Sequence, residues 1–324
     1  MEKTLKIAVV GVGYMGRIHA ACVAQAENME LAAIVEPNEA LGMEVAKEFG
    51  VPYLKSVADL RAHPEIQAVN ICVPEEYHCS TAVQCAELGL HIAIEKPIAK
   101  TVEEANRMVE ACERNHVRLL VLHTVHFLED YRLMKNQYDD GAIGNVSQIT
   151  ITRHLFREDM DRFKGRVSIL YYVGVHDLEA VQWISGHKIV RVAALRVDSM
   201  KVFGEEGFSI LFEMDNGACG TMNVGWQLPT NFAGMDRIVM VGDKGYLDYD
   251  QMKNPLVVND GPILTAFWPR DGKLVGPYLN ENIHFADAIL NDKDLWMDTD
   301  DAIYIIKVME AVQRAAESGR FEDV

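Results

Sequence analysis

The hexapeptide Gly11-Val12-Gly13-Tyr14-Met15-Gly16 follows the apolar run Leu5–Val10 directly and opens a segment with helical spacing through Ile18, Ala21, Cys22 and Ala26. In a strand–turn–helix unit of this kind the first glycine makes the tight turn. The second lets backbone approach a pyrophosphate, and the third lets helix and strand pack closely, so that phosphates face the free N–H groups of the first helical turn. Glu36 lies 20 residues beyond Gly16, at the end of the next apolar run, Leu31–Val35. A carboxylate there accepts hydrogen bonds from ribose hydroxyls and repels a 2′-phosphate, and the next basic residue is Lys47. The spacing predicts a site for NAD rather than NADP, with Gly11, Gly13, Tyr14, Met15, Gly16 and Glu36 as cofactor-binding residues.

The alternation continues. Gln67–Val73, His91–Ile94 and Val117–Leu122 read as strands, Ser80–Leu88 as a helix, and Thr101 with Glu104 has capping-box spacing ahead of Ala105, Met108, Val109 and Cys112. Near-continuous apolar strands separated by helices predict a doubly wound parallel α/β sheet covered on both faces, of six strands by Leu122. The pattern then changes. Val146–Thr152, Val190–Val197, Phe208–Met214, Ala218–Val224 and Arg237–Val241 are strand-like, and Asp215-Asn216-Gly217 is a hairpin signal between two of them. A helix over Asp300–Ser318 buries Ile305, Val308, Met309, Val312 and Ala316 and stops at Gly319. A chain of 324 residues exceeds what one core usually holds. The expectation is therefore two domains: residues 1–122 bind NAD, and residues 123–324 form an α+β domain on a mostly antiparallel open sheet.

Composition narrows the function. Hydrophobic residues at 49% and charged residues at 24% exclude a largely disordered chain. A formal charge of −17 disfavours nucleic acid and anionic membrane as partners. No apolar run is long enough to span a bilayer, and Met1-Glu2-Lys3-Thr4 leads straight into a strand, so the expected location is the cytoplasm. Cys22, Cys72, Cys79, Cys85, Cys112 and Cys219 form no C-x-x-C pair, which predicts free thiols and no metal site.

Glu95-Lys96-Pro97 follows the fifth strand, where a doubly wound sheet places its ligand crevice. Together with Gly11–Gly16, Ile71-Cys72-Val73-Pro74 with His78, Gly174-Val175-His176-Asp177 followed by Trp183, and the His284-Phe285 helix, it makes the whole chain resemble the glucose–fructose oxidoreductase and inositol dehydrogenase (Gfo/Idh/MocA) family. The resemblance implies hydride transfer between a nicotinamide and a secondary hydroxyl, or the matching ketone, of a sugar, cyclitol or sugar derivative. Lys96 would stabilise developing alkoxide and His176 would take the hydroxyl proton. Val73, Pro74, His78, Glu95, Lys96 and Pro97 would complete the cofactor site. Lys96, His123, Tyr172 and His176 would bind substrate, and the outer face of the second sheet would build a homodimer or homotetramer.

Two positions depart from the family pattern. Tyr172 stands where many relatives carry an aspartate, one helical turn before the histidine, and is read as a third catalytic residue without its charge; Glu75 replaces a common asparagine. Arg153, Arg157, Arg162, Lys164 and Arg166 crowd an otherwise acidic chain, and Arg153 is taken as a candidate for binding an anionic or hydroxyl-rich substrate. Two other readings stand beside the dehydrogenase: an NAD-dependent enzyme that cleaves glycosides through transient oxidation, and a non-catalytic NAD(H)-binding regulator.

Overall fold

A computed structural model describes residues 4–202, 204–229, 234–251, 256–258, 261–263 and 274–324. The first sheet is built from β1 (Leu5–Val10), β2 (Met29–Val35), β3 (Tyr53–Leu54), β4 (Ala68–Ile71), β5 (His91–Glu95) and β6 (Leu119–Leu122), with α1 (Tyr14–Gln25), α2 (Glu39–Phe49), α3 (His78–Glu87) and α4 (Val102–Arg114) in the crossovers. Its order is β3-β2-β1-β4-β5-β6 and every pairing is parallel. Strands covered on both faces cannot alternate polar and apolar residues, and β4 and β6 are accordingly buried at every position. The chain direction across the sheet reverses between β1 and β4. Their carboxyl ends, Val10 and Ile71, are register partners, and this is where such a sheet opens its ligand crevice. The Thr101 hydroxyl caps α4 by accepting from Glu104 N at 3.2 Å.

The second sheet follows α5 (Glu129–Asp139). It contains β7 (Val146–Phe156), then, after α6 (Arg157–Phe163) and α7 (Val175–Ser185), β8 (Ile189–Val197), β9 (Gly207–Met214), β10 (Cys219–Leu228), β11 (Met235–Gly242) and β12 (Tyr246–Asp250). A separate ribbon pairs β13 (Leu256–Val258) with β14 (Gly261–Ile263). The chain ends through α8 (Pro277–Asn291), α9 (Thr299–Ser318) and β15 (Glu322–Asp323). The seven-stranded order is β12-β11-β7-β10-β9-β8-β15, antiparallel except for β7 beside β10. The Asp215-Asn216-Gly217 turn joins β9 to β10 with Gly217 at φ +85°, a conformation that favours glycine. Alternating burial in β10 and β11 gives the sheet one core face and one outer face.

The chain is not divided at a single point. One compact unit comprises Met1–Leu128 with Ala266–Tyr304, the other Glu129–Thr265 with Ile305–Val324. The expectation sets one boundary at 122/123; the compact units differ from it in being discontinuous, with α8 in the first. Asn282 on α8 donates to His19 Nδ1 at 2.9 Å and to the Tyr278 carbonyl at 2.7 Å. Gln25 at the end of α1 exchanges two hydrogen bonds with the backbone of Leu274. The amphipathic pattern of α8 announces that one face is buried and carries no information about which sheet receives it.

Candidate functional site

The glycine loop between β1 and α1 is shaped for close approach. Gly11 sits at φ +83°, and a Cβ on Gly16 would lie 1.9 Å from the Gly11 carbonyl oxygen, so side chains at these positions are excluded. Gly13 faces open space, with nothing within 4 Å of an added Cβ. It begins α1 without a side-chain cap, and the first turn holds no acidic residue. Uncapped N–H groups beneath an open, glycine-lined turn suit a dinucleotide pyrophosphate, and Tyr14 (76% exposed) and Met15 border that turn. Glu36 is nearly buried. Its Oε2 accepts from Val12 N and its Oε1 from Asn38 N, both at 3.0 Å, so the carboxylate that would meet a ribose also holds the glycine loop in place.

The carboxyl ends of β4 and β5 are tied by His78. Its Nδ1 lies 2.9 Å from the Pro97 carbonyl oxygen and its Nε2 3.0 Å from that of Val73. Burial pushes the His78 imidazole below its ordinary range, against the pull of these carbonyls. His78 is thus a buried strut between the Val73-Pro74 turn and the Lys96-Pro97 step, whose peptide is cis. Glu95 likewise turns inward. Its Oε1 lies 2.9 Å from His19 Nε2 and its Oε2 accepts from Lys96 N at 3.2 Å. Burial drives its carboxyl up, but the bond and charge of His19, with help from Lys96 and His78, leave it below the ordinary carboxylate range. The two residues expected at the cofactor therefore support the backbone that carries Lys96, which is itself half-buried at the end of β5. At the end of β6, His123 and His126 are buried with ring centroids 6.4 Å apart. Among the described residues no three His, Cys, Asp or Glu side chains gather as a metal set.

In the second unit a π-helical turn, Leu170–Gly174, runs into α7, which carries half-buried His176 at its second position. Tyr172 joins an aromatic cluster, its ring centroid 5.1 Å from Phe163 and 5.3 Å from buried Trp226. Arg153 departs from the expectation of a free substrate cation. Its Nη2 lies 2.7 Å from Asp177 Oδ1, 2.8 Å from Asp236 Oδ2 and 3.0 Å from Tyr131 Oη, with only 14% of its side chain exposed. A guanidinium between two carboxylates has no net charge left for a substrate anion. Of the other basic residues, Arg157, Lys164 and Arg166 are exposed, and Arg162 pairs with Asp159 and covers the Phe163 ring.

The description "Oxidoreductase family, NAD-binding Rossmann fold" matches residues 5–123, and "GFO/IDH/MocA C-terminal domain" matches residues 131–248. The chain belongs to the Gfo/Idh/MocA family of oxidoreductases and carries its NAD-binding Rossmann domain. It is 23% identical to inositol 2-dehydrogenase of Rhizobium meliloti over 98% of both chains. To the rhizopine catabolism protein MocA of Rhizobium meliloti it is 24% identical over 83% of this chain and 81% of the relative. The structure of scyllo-inositol dehydrogenase from Lactobacillus casei, with bound NAD(H) and scyllo-inositol, superposes with a TM-score of 0.86 over 99% of each chain at 22% identity.

Sequence reasoning gave no role to His19, Asn70, Asn282 and Glu281 in the first unit, or to Asp177 and Asp236 in the second. Asp177 had a signal: it and Glu179 are the acidic residues of a helix rich in apolar side chains, and both are buried. Asp236 had none beyond its position beside a strand, where a charged residue ordinarily faces water.

Proposed function

We propose that the chain is an NAD-dependent dehydrogenase that oxidises a secondary hydroxyl of a sugar, cyclitol or sugar derivative, or reduces the matching ketone. The observation that carries this reading is Lys96 at the carboxyl end of β5, on a dinucleotide-binding sheet, with its backbone braced by Glu95 and His78. Family membership supports it, as do full-length relatives named for inositol oxidation. The Lys96 ammonium donates to the reacting oxygen and stabilises the alkoxide as it develops. His176 removes the hydroxyl proton, a task suited to imidazole near neutral pH. NAD held at the Gly11–Gly16 loop and Glu36 would supply the hydride acceptor, so that oxidation of the alcohol would leave a ketone and one proton on His176. Tyr172, held against Phe163 and Trp226, brings an aromatic ring and no anionic side chain to the position one turn before His176.

The test is NAD reduction across inositols, aldoses, sugar acids and nucleotide sugars. Lys96→Ala and His176→Ala are each expected to lower kcat by about 10²-fold or more, in line with the loss of an electrostatic or general-base contribution. Full activity in both variants removes the assignment. Substrate turnover without NADH accumulation points instead to glycoside cleavage. The outer face of the second sheet, with Leu195 and Leu211 exposed on neighbouring strands, is the proposed surface for a dimer or tetramer. Leu211→Glu is expected to yield monomers in sedimentation, and an unchanged assembly moves the interface elsewhere.

A further inference from the structure

His176 and Asp177 are consecutive on the first turn of α7, a helix whose N-cap, Gly174, supplies no capping side chain. Consecutive Cα atoms are about 3.8 Å apart, so whatever fixes Asp177 also fixes the backbone of His176. Asp177 is fixed from the sheet. Arg153 on β7 and Asp236 on β11 are register partners, and the guanidinium of the first bridges the carboxylates of Asp236 and Asp177. Tyr131 Oη on α5 lies 3.4–3.5 Å from both carboxylates.

We infer that Arg153, Asp177 and Asp236 form a positioning unit for His176, one that clamps the start of α7 to the sheet and holds one exchangeable proton beside the histidine. The inference rests on the reading of His176 as the base. Charge arithmetic supports it. Arginine stays protonated, so two ionised aspartates around one guanidinium leave a net negative charge. All three side chains are largely withdrawn from water (0% exposed for Asp177, 8% for Asp236 and 14% for Arg153), where an uncompensated charge is costly. Asp177 Oδ2 is buried without a hydrogen-bond partner, so nothing there offsets full ionisation. A shared proton removes the surplus. Burial pushes Asp177 up to about 7, Arg153 opposing and Asp236 reinforcing the rise. Burial also raises Asp236 against the pull of Arg153. Among the described residues, other ionisable groups acting on the cluster include Tyr131, Tyr249 and Asp250; Asp130 acts on Tyr249. Both tyrosines are raised well out of the neutral range by burial, so the exchangeable proton belongs to the aspartates.

Two variants of the full-length protein should move that proton in opposite directions. Asp236→Asn removes the neighbouring negative charge, so Asp177 pairs with Arg153 alone and should ionise at lower pH. Tyr131→Phe removes a donor to the carboxylates and should move ionisation to higher pH. The carboxylic-acid C=O band in the infrared follows this directly, and Asp177→Asn identifies it. The titration of ¹³C-labelled His176, assigned with His176→Gln, reports the coupling. It is expected to fall by about half a pH unit or more in Asp236→Asn, roughly a threefold loss of proton affinity, because the wild-type cluster becomes negative once the shared proton leaves near neutral pH and the variant's does not. A band that loses its acid at the same pH in wild type and both variants overturns the shared proton. A His176 titration unmoved in folded Asp236→Asn overturns the coupling; if that variant fails to fold, the same readout in Tyr131→Phe decides. Neither measurement needs turnover. A protein that shows both shifts yet oxidises no sugar or cyclitol retires the dehydrogenase reading and leaves the coupling standing.

Discussion

In the first unit Glu95 and Glu281 are buried and act on one another, and Glu95 pairs with His19; in the second, Asp177 and Asp236 are buried around Arg153. Each group buries two interacting carboxyl groups, but the basic side chains are arranged differently. Glu95 takes the bond from His19 and the Lys96 amide and stays ionised, whereas Glu281, fully buried on α8, is pushed well above the ordinary range by burial and by the charge of Glu95. The first unit therefore assigns its proton to one residue. In the second unit a single guanidinium touches both carboxylates, and the surplus proton is shared and exchangeable near neutral pH. Burial of paired acids thus yields a fixed neutral acid in one place and a titrating one in the other, according to whether the base can reach both.

The largest effect that would sharpen this contrast is loss of the cation. Arg153→Met leaves two buried carboxylates unpaired and is expected to cost about 3–5 kcal/mol in urea unfolding at pH 7. The penalty should shrink at pH 4, where the aspartates can take up protons; a loss below about 1 kcal/mol at pH 7 would mean that the pair is not buried as described. Next is the pH dependence of stability. Asp177 binds its proton more tightly folded than unfolded, so native protein retains it between pH 3.8 and about 7 and stability falls as pH rises through that window. Asp177→Asn should flatten the slope by about 1.4 kcal/mol per pH unit for the one proton removed. An identical slope in both proteins would break the comparison. Smaller again is His19→Leu, which strands Glu95 Oε1 and the Asn282 amide, at a cost of about 1–3 kcal/mol at pH 7. Because Glu95 is held below its ordinary range, its contribution is present above about pH 4.5 and lost as pH falls, so the variant and wild type should converge in acid.

The parts of this molecule that depend on local pattern were legible. The glycine loop, the parallel strands and the Asn216-Gly217 hairpin are each specified within a few residues by steric or periodic demands, and the structure has them where the pattern puts them. The place of Glu36 directly after β2 was legible for the same reason, since its distance from Gly16 is a property of one βαβ unit. What escaped is non-local. His78 and Glu95 stand beside the Val73-Pro74 and Lys96-Pro97 motifs in sequence, yet their side chains turn inward to Val73, Pro97 and His19. Arg153 looked like a free cation because its partners lie 24 and 83 residues away on α7 and β11. The return of α8 to the first unit is invisible for a related reason: an apolar face records burial, and the identity of its partner resides in the topology.

Glu281 offers the finest test, because two opposing terms meet at one atom pair. Glutamine copies the shape of the protonated acid but cannot ionise. Wild-type Glu281 must take up a proton on folding whenever the solution is more alkaline than the unfolded side chain's ordinary value, so its stability falls as pH rises above about 4.5. Glu281→Gln escapes that term and in exchange buries an amide whose N–H groups find few acceptors, at a cost of about 1–3 kcal/mol. At pH 5 the first term is small, and the variant should lie within about 1–3 kcal/mol of wild type on the less stable side. With rising pH the difference should narrow and then reverse, by about 1.4 kcal/mol per pH unit until the native acid ionises. Urea unfolding at pH 5, 7 and 8 reads the sign. A difference that stays constant across this range would mean that Glu281 is already ionised in the folded protein. In that case the two buried groups would handle their protons alike, and the contrast between a histidine that reaches one carboxylate and an arginine that reaches two would lose its physical basis.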